Sequence, residues 1–309
     1  MNNWVGKKYI GYPCMNKTLR ESTPPVRANR GLQMNTLEEK GTEYVSTLVI
    51  ENLRDLLHIL QWNKEHDIYF YRCSSNLFPK VSQYTIRDLP QFDTIKDLCE
   101  DIGAYIIDNE MRFSFHPDYW VKLASPTEST AKNARESIEN HARILELFGL
   151  DASSKYPINI HIGAHYSDKD ATGDRFIESY KKLSTAAQSH LVVENDDKDS
   201  LWSVKELYSL ISESTYSIPL TFDYHHHQFA DRGLTYFDAF ELAKETWPTD
   251  IPPVTHYSEP ARLYNNSTVS PTSHADSVSN LPLWLVNESS VMIESGSKEK
   301  SVLKAQRMI

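Results

Sequence analysis

An α/β fold, specifically a (β/α)8 TIM barrel formed as a single domain over residues 1–309, is what this sequence predicts. Three observations carry the prediction. Short β-branched or aromatic runs alternate with longer segments of three- and four-residue apolar periodicity along the whole chain. About eight such repeats can be counted, the number this barrel requires. A polar residue stands at the carboxyl end of each run, where such barrels gather their chemistry.

Taken in order, the strand candidates are Tyr9–Tyr12, Ile68–Arg72, Arg112–Phe115, Ile158–His161, His190–Glu194, Leu220–Asp223, Val254–His256 and Val291–Glu294. Each is brief and rich in residues that suit a pleated, buried surface. Between them the periodicity predicts helices over Tyr44–Trp62, Thr94–Ile107, Ala131–Phe148, Arg175–Ala187, Trp202–Ile211, Tyr236–Ala243 and Lys298–Ala305. In the first of these, Tyr44, Leu48, Leu53, Leu56, Leu57 and Leu60 form the stripe that would face a barrel. The seventh unit is the weakest, because Pro260 to Pro282 is dominated by Ser, Thr and Asn and reads as loop.

Hydrophobic residues make up 40% and charged residues 24% of the chain, an ordinary globular balance that excludes disordered and fibrous classes. With 32 Lys plus Arg against 42 Asp plus Glu, the net charge of −10 argues against a general nucleic-acid coat protein. A nucleic-acid enzyme would need a local basic face, and Lys7, Lys8, Lys17, Arg20, Arg27 and Arg30 against the single acid Glu21 offer one candidate, although a solvated charged loop is the simpler explanation. Cys14, Cys73 and Cys99 lack metal or disulfide spacing and fit a reducing compartment. No apolar run reaches membrane-spanning length and the start lacks a signal-peptide pattern, so a cytoplasmic monomer without membrane or protein partners is expected. Triplets beginning at Asn16, Asn266 and Asn287 match the glycosylation pattern, which recurs by chance.

At the carboxyl ends of the eight strands stand Tyr12, Arg72, His116, His161, Glu194, Asp223, His256 and Glu294. Strands buried on both faces should be apolar, so acids and imidazoles at their ends must point into something polar. Singly, each is an ordinary structural histidine, a helix cap or a salt-bridge partner. Together they are the donor set a divalent cation requires, and their number allows more than one ion. His226 follows Asp223 in an Asp-x-x-His run that puts carboxylate and imidazole on one emerging loop, and His274 lies in a stretch too polar for a core histidine. His58, His66, His141, His165 and His190 read as structural or solvated.

The chain resembles the UV damage endonucleases over residues 9–305. The blocks that carry the likeness are Ile10-Gly-Tyr-Pro-Cys-Met-Asn16, Tyr71-Arg-Cys-Ser-Ser-Asn-Leu-Phe-Pro79, Arg112-Phe-Ser-Phe-His-Pro117, Asn159-Ile-His-Ile-Gly163, Val192-Val-Glu-Asn195, Phe222-Asp-Tyr-His-His-His227, Thr255-His-Tyr-Ser258, Ser273-His-Ala-Asp276 and Met292-Ile-Glu294. The resemblance implies two or three divalent ions, manganese before magnesium or zinc, held by His116, His161, Glu194, Asp223, His226, His256, His274 and Glu294. By that likeness Glu194 bridges two ions, with His116 and His161 on one side and Asp223, His274 and Glu294 on the other. His226 and His256 hold the third, and Glu194, His226, His256 and Glu294 carry the catalysis. The implied reaction is incision of damaged double-stranded DNA on the 5′ side of cyclobutane pyrimidine dimers and (6-4) photoproducts, with action at some abasic sites, leaving 3′-hydroxyl and 5′-phosphate ends. Tyr12 and Asn16 match family residues near the lesion and scissile phosphate. Tyr119 and Trp120 stand where the family has a Gln-Tyr pair, and two aromatics still suit a wedge for flipped-out bases.

Two positions depart from the family pattern. Val254 replaces the lysine two residues before the seventh-strand histidine, and a valine cannot ligate a third metal. Gln83 stands near the place of a histidine that follows Phe-Pro in many relatives. The rival readings are a metal-dependent sugar isomerase of the barrel class, which would favour carboxylates and a nearby lysine, and a barrel that binds damaged DNA without cutting it.

Overall fold

Eight short parallel strands close on themselves in chain order. They are β1 Ile10–Pro13, β2 Phe70–Cys73, β3 Arg112–Phe115, β4 Ile158–His161, β5 Leu191–Glu194, β6 Leu220–Asp223, β7 Val254–Tyr257 and β8 Ser290–Ile293. The structure is a computed structural model and describes residues 7–264 and 268–309. Residues 1–6 of the expected domain, and Asn266 and Ser267 of the triplet beginning at Asn266, lie outside the described residues. The helices are α1 Lys17–Arg20, α2 Met34–Glu65, α3 Phe92–Asp108, α4 Glu128–Leu147, α5 Lys169–Lys181, α6 Thr185–His190, α7 Val204–Ser212, α8 Tyr224–His227, α9 Tyr236–Lys244, α10 Leu283–Glu288 and α11 Glu299–Gln306.

The long helices form where the apolar periodicity predicts them, and their buried stripes include Leu48, Leu53, Leu56 and Leu60 on α2 and Ile95, Cys99, Ile102 and Ile106 on α3. Within α2 the backbone is non-helical at Gly41, whose φ of 65° suits glycine. The helix expected over Arg175–Ala187 is two helices. Ser184 accepts a hydrogen bond from the Ala187 N–H and so starts α6, while Glu139 of α4 holds the Ser184 backbone and hydroxyl. His190 closes α6 rather than opening β5. The seventh unit does contain a helix, α10, which six residues are too few to announce by periodicity.

Packing divides the apolar residues into two layers. A large cluster fills the space between strands and helices. A smaller one plugs the barrel itself, formed by Tyr9, Phe70, Val192, Trp247, Val254 and Met292. β1 and β2 approach so closely that a Cβ on Gly11 would stand 2.2 Å from the Phe70 carbonyl oxygen, so no other residue fits without moving a strand.

The two-residue period of a strand decides which side chains reach the barrel interior. Phe70, Arg112, Val192, Val254 and Met292 belong to the inward set. Two residues past Phe70, Val192, Val254 and Met292, this alternation brings Arg72, Glu194, His256 and Glu294 to the carboxyl-terminal mouth. Tyr12 has the opposite parity. Its ring packs edge-on against Tyr71 at 5.3 Å, its hydroxyl donates to Asn63 of α2 at 2.7 Å, and it is completely buried beneath the helices.

Candidate metal centre

Glu194 is the hub of the mouth. It ends β5 opposite His161 of β4, is 1% exposed, and its two carboxylate oxygens face different partners. Oε2 lies 3.2 Å from His116 Nε2 and 3.5 Å from His161 Nε2. Oε1 lies 3.0 Å from His256 Nδ1 and 3.4 Å from His226 Nδ1. Burial alone would raise the Glu194 carboxyl, but the surrounding imidazoles, His256 and His161 foremost, hold it well below the usual carboxylate range. Burial likewise opposes charge on Glu294, and the adjacent Arg72 guanidinium and His256 overcome it.

Asp223 performs two tasks. One oxygen accepts the His226 N–H at 2.7 Å and caps α8, turning the chain so that His226 faces the hub. The other is buried, hydrogen-bonds to nothing, and lies 4.0 Å from His256 Nδ1. Asn195 splints this corner by donating to the Asp223 carbonyl at 3.1 Å and accepting the Asp223 N–H at 2.8 Å. Burial raises the Asp223 carboxyl, with the Glu194 and Glu294 charges adding to it and the neighbouring His226 opposing.

These residues fit divalent cations. His116, His161 and Glu194 form one group, and Glu194, Asp223 and His256 another, each with its donor atoms within 4.8 Å of one another. Asp223 Oδ2, His256 Nδ1 and His161 Nδ1 are buried without a hydrogen-bond partner although opposite charges stand nearby. Such atoms are costly to bury unless something bonds them. In the second group His256 stands with Glu194 and Asp223, 3.3 Å from Glu294 Oε1. His274 comes to the same rim, its Nδ1 2.9 Å from the Glu294 carbonyl oxygen and 3.8 Å from Oε2.

The other expected residues divide. Tyr119 and Trp120 stand on the loop after His116, 87% and 48% exposed, so neither is a packing residue. Beside them a cavity of about 310 Å³ is lined by His116, Tyr119, Lys122, His161, Asp196 and His226. A larger hollow of about 820 Å³ lies at the opposite end around Tyr9, Trp247 and Pro253, where no group of metal donors stands among the described residues. Tyr12 and Asn16 are buried, and Asn16 spends its amide on the Tyr12 hydroxyl and on capping α1. As placed, both side chains are turned to neighbouring residues rather than to the open mouth. Val254 is part of the apolar plug, and Gln83 is exposed with its amide on Ser82. The basic stretch also divides: Lys7 and Lys8 precede β1 at the opposite end, where Lys7 pairs with Glu110, while Arg30 is tied to Glu51 and Asp55.

Three polar neighbours were given no role in the sequence. Asn159 donates to Glu194 Oε2 from below, and its position two residues before His161 on the same strand face is a signal the alternation contains. Asp196 approaches His161 Nδ1 at 3.4 Å. Arg72, seen only as a polar strand end, grips Glu294.

A family model described as UV-endonuclease UvdE matches residues 8–308. The chain is 31% identical over 312 residues to a UV-damage endonuclease of Schizosaccharomyces pombe, covering 98% of this chain but 51% of that protein, so it spans about half the relative's length. It is 30% identical to a UV DNA damage endonuclease of Bacillus pumilus, over 96% of this chain and 92% of that one. Among solved structures it is similar to the crystal structure of SacUVDE, with 30% identity, a TM-score of 0.84 and 97% coverage of both chains.

Proposed function

The chain belongs to the UV-endonuclease UvdE family, and from that premise we propose that it is a metal-dependent DNA repair endonuclease incising the strand 5′ of ultraviolet photoproducts, and at abasic sites, to leave 3′-hydroxyl and 5′-phosphate ends. The observation that carries the reading is the sharing of one buried carboxylate, Glu194, between two groups of donors at the barrel mouth.

His116 and His161 with Oε2 of Glu194, and Asp223 and His256 with Oε1, are the residues that would hold the ions. Divalent ions there, manganese first among the candidates, would screen the phosphodiester charge, lower the pKa of the attacking water and stabilise the departing 3′-oxygen. Asn159 and the imidazoles fix the Glu194 carboxylate, so its donor geometry is set before substrate arrives. Arg72 holds Glu294 against His256 and keeps a positive charge at the mouth that favours a bound phosphate. Tyr119 and Trp120 offer exposed π-faces for the gap or the bases of an unstacked lesion, which costs less to open than intact duplex.

The test is cleavage of an end-labelled duplex carrying one cyclobutane dimer, with manganese, with chelator, and with Glu194→Gln. The reading requires metal-dependent incision immediately 5′ of the lesion, lost in the variant and absent on undamaged duplex. Metal-dependent binding without incision would support the non-cutting barrel instead.

A further inference from the structure

A protein of net charge −10 that grips DNA needs cations placed at its mouth, and the structure has removed Lys7 and Lys8 to the far end and committed Arg30 to two acids. Lys298 is a cation that remains. It follows Glu294 by four residues, on the loop where Gly296 N–H donates to the Ala275 carbonyl and Ser297 N–H to the Asp276 carbonyl, at 3.2 and 2.7 Å. This loop is thereby fastened to the one that carries His274.

Two observations set Lys298 apart. Its backbone has φ 55° and ψ −125°, a conformation that favours glycine and strains any other residue. The residue is half-buried, and among the described residues no carboxylate stands within ion-pair distance of its ammonium. Strain and an unpaired, partly desolvated charge are two separate costs at one position, and both would be offset by an anion arriving from outside. Arg72 and Lys17 are the neighbouring cations, and the barrel order places β8, which leads to Lys298, beside β1, which leads to Lys17. Burial first, then the like charges of Arg72 and Lys17, also push the ammonium below its usual value, with Cys14 and Glu294 acting the other way.

We propose that Lys298, with Lys17 beside it, forms an anion-gripping site on the β8–β1 side of the mouth that takes a backbone phosphate of the DNA strand. The site follows β8 and β1, and Tyr119 and Trp120 follow β3, two strands from β1 around the same mouth, so one DNA strand lying along the mouth would meet both. The inference rests on the endonuclease reading, but its test does not need cutting to occur.

The experiment is equilibrium binding of the manganese-loaded protein to an undamaged duplex and to the same duplex with one cyclobutane dimer, between about 50 and 200 mM salt. A phosphorothioate 5′ of the dimer slows incision. The wild type is compared with Lys298→Gln, Lys298→Arg and Lys298→Gly, each with its melting temperature. Lys298→Gln and Lys298→Gly should weaken both duplexes about threefold to tenfold at low salt and reduce the salt slope by about one. Lys298→Arg should retain the slope, and Lys298→Gly should melt no lower than wild type because glycine accepts the backbone angle without strain. An unchanged slope and affinity in Lys298→Gln, or no binding of either duplex by the wild type, would overturn the proposal. A lower slope in a protein that never incises would uphold the phosphate site and sink the endonuclease reading alone.

Discussion

Glu194 places one carboxylate among four imidazoles, so its charge is worth more than that of any other acid at the mouth. Glu194→Gln keeps the shape but removes the anionic donor common to both groups, and it should lower incision by at least about 10³-fold. A rate assay beside a circular-dichroism melt separates this from unfolding. His161 supplies a pH test. Burial disfavours its charged form, but Glu194 and Asp196 outweigh that and raise it to about 10. In the metal-free protein it is therefore protonated at neutral pH, and its pairing stabilises the fold fully below the unfolded value of about 6.5 and is lost as pH rises through about 10. A cation bound through His161 must displace that proton, so calorimetry in two buffers of different ionisation enthalpy should report release of about one proton, with affinity falling as pH is lowered. No release would remove His161 from the donor set. Tyr119→Ala and Trp120→Ala should each cost about 1–3 kcal/mol in binding a dimer-containing duplex while leaving the melting temperature unchanged, because neither side chain is packed in the core. The residues that could hold an ion were legible as polar residues at strand ends. The outward face of Tyr12 was not legible, because a strand-end position carries no information about face until the parity of the whole strand is set by Phe70 and Met292 inside the barrel.

Between β7 and α10 a long polar connection carries His274, and little apolar surface holds it. Glu259 does so instead. Its buried carboxylate accepts the Ser279 and Asn280 N–H groups at 2.7 and 2.8 Å and the Tyr264 hydroxyl, while its own carbonyl accepts the Ala275 N–H at 2.8 Å. Burial would raise this carboxyl, and the Tyr264 hydroxyl and two amides hold it down. The stability it contributes is therefore present above the unfolded carboxyl value of about 4.3 and lost as pH falls through the lower folded value. Glu259→Ala should destabilise the connection by about 1–3 kcal/mol, seen as faster proteolysis within residues 260–280, and weaken metal binding through misplacement of His274. Unaltered proteolysis would show that the loop is held by other contacts. Strands of four residues were legible because each is apolar, β-branched or aromatic and flanked by helical periodicity. The α5–α6 break and the helix α10 were not, because a serine cap and six residues leave too little pattern to read.

Across the whole molecule the barrel has a closed floor and an open, charged mouth. Arg112 is the largest fully buried side chain, and its guanidinium closes the floor by donating to the carbonyls of Pro252, Ser154 and Lys155 and to the Ser290 hydroxyl, with Trp247 5.3 Å away. Burial lowers it to about 9, against the effect of Tyr9 and Tyr156, so at neutral pH it remains charged and fully engaged. Arg112→Met removes the guanidinium donors from buried carbonyls on two segments and from the Ser290 hydroxyl, and should cost about 3 kcal/mol or more, a fall of several degrees in melting temperature with the mouth chemistry intact. The barrel was legible from strand count and alternation alone. The distribution of charge was not, since Lys7 and Lys17 are near in sequence yet β1 carries the chain from one end of the barrel to the other between them. The central claim is that Glu194 is shared between two bound cations at this mouth, and anomalous diffraction from a crystal soaked in manganese tests it most directly. Two peaks are predicted, one bonded by Glu194 with His116 and His161 and one by Glu194 with Asp223 and His256. A single peak away from Glu194, or none at a concentration that supports incision, would contradict it.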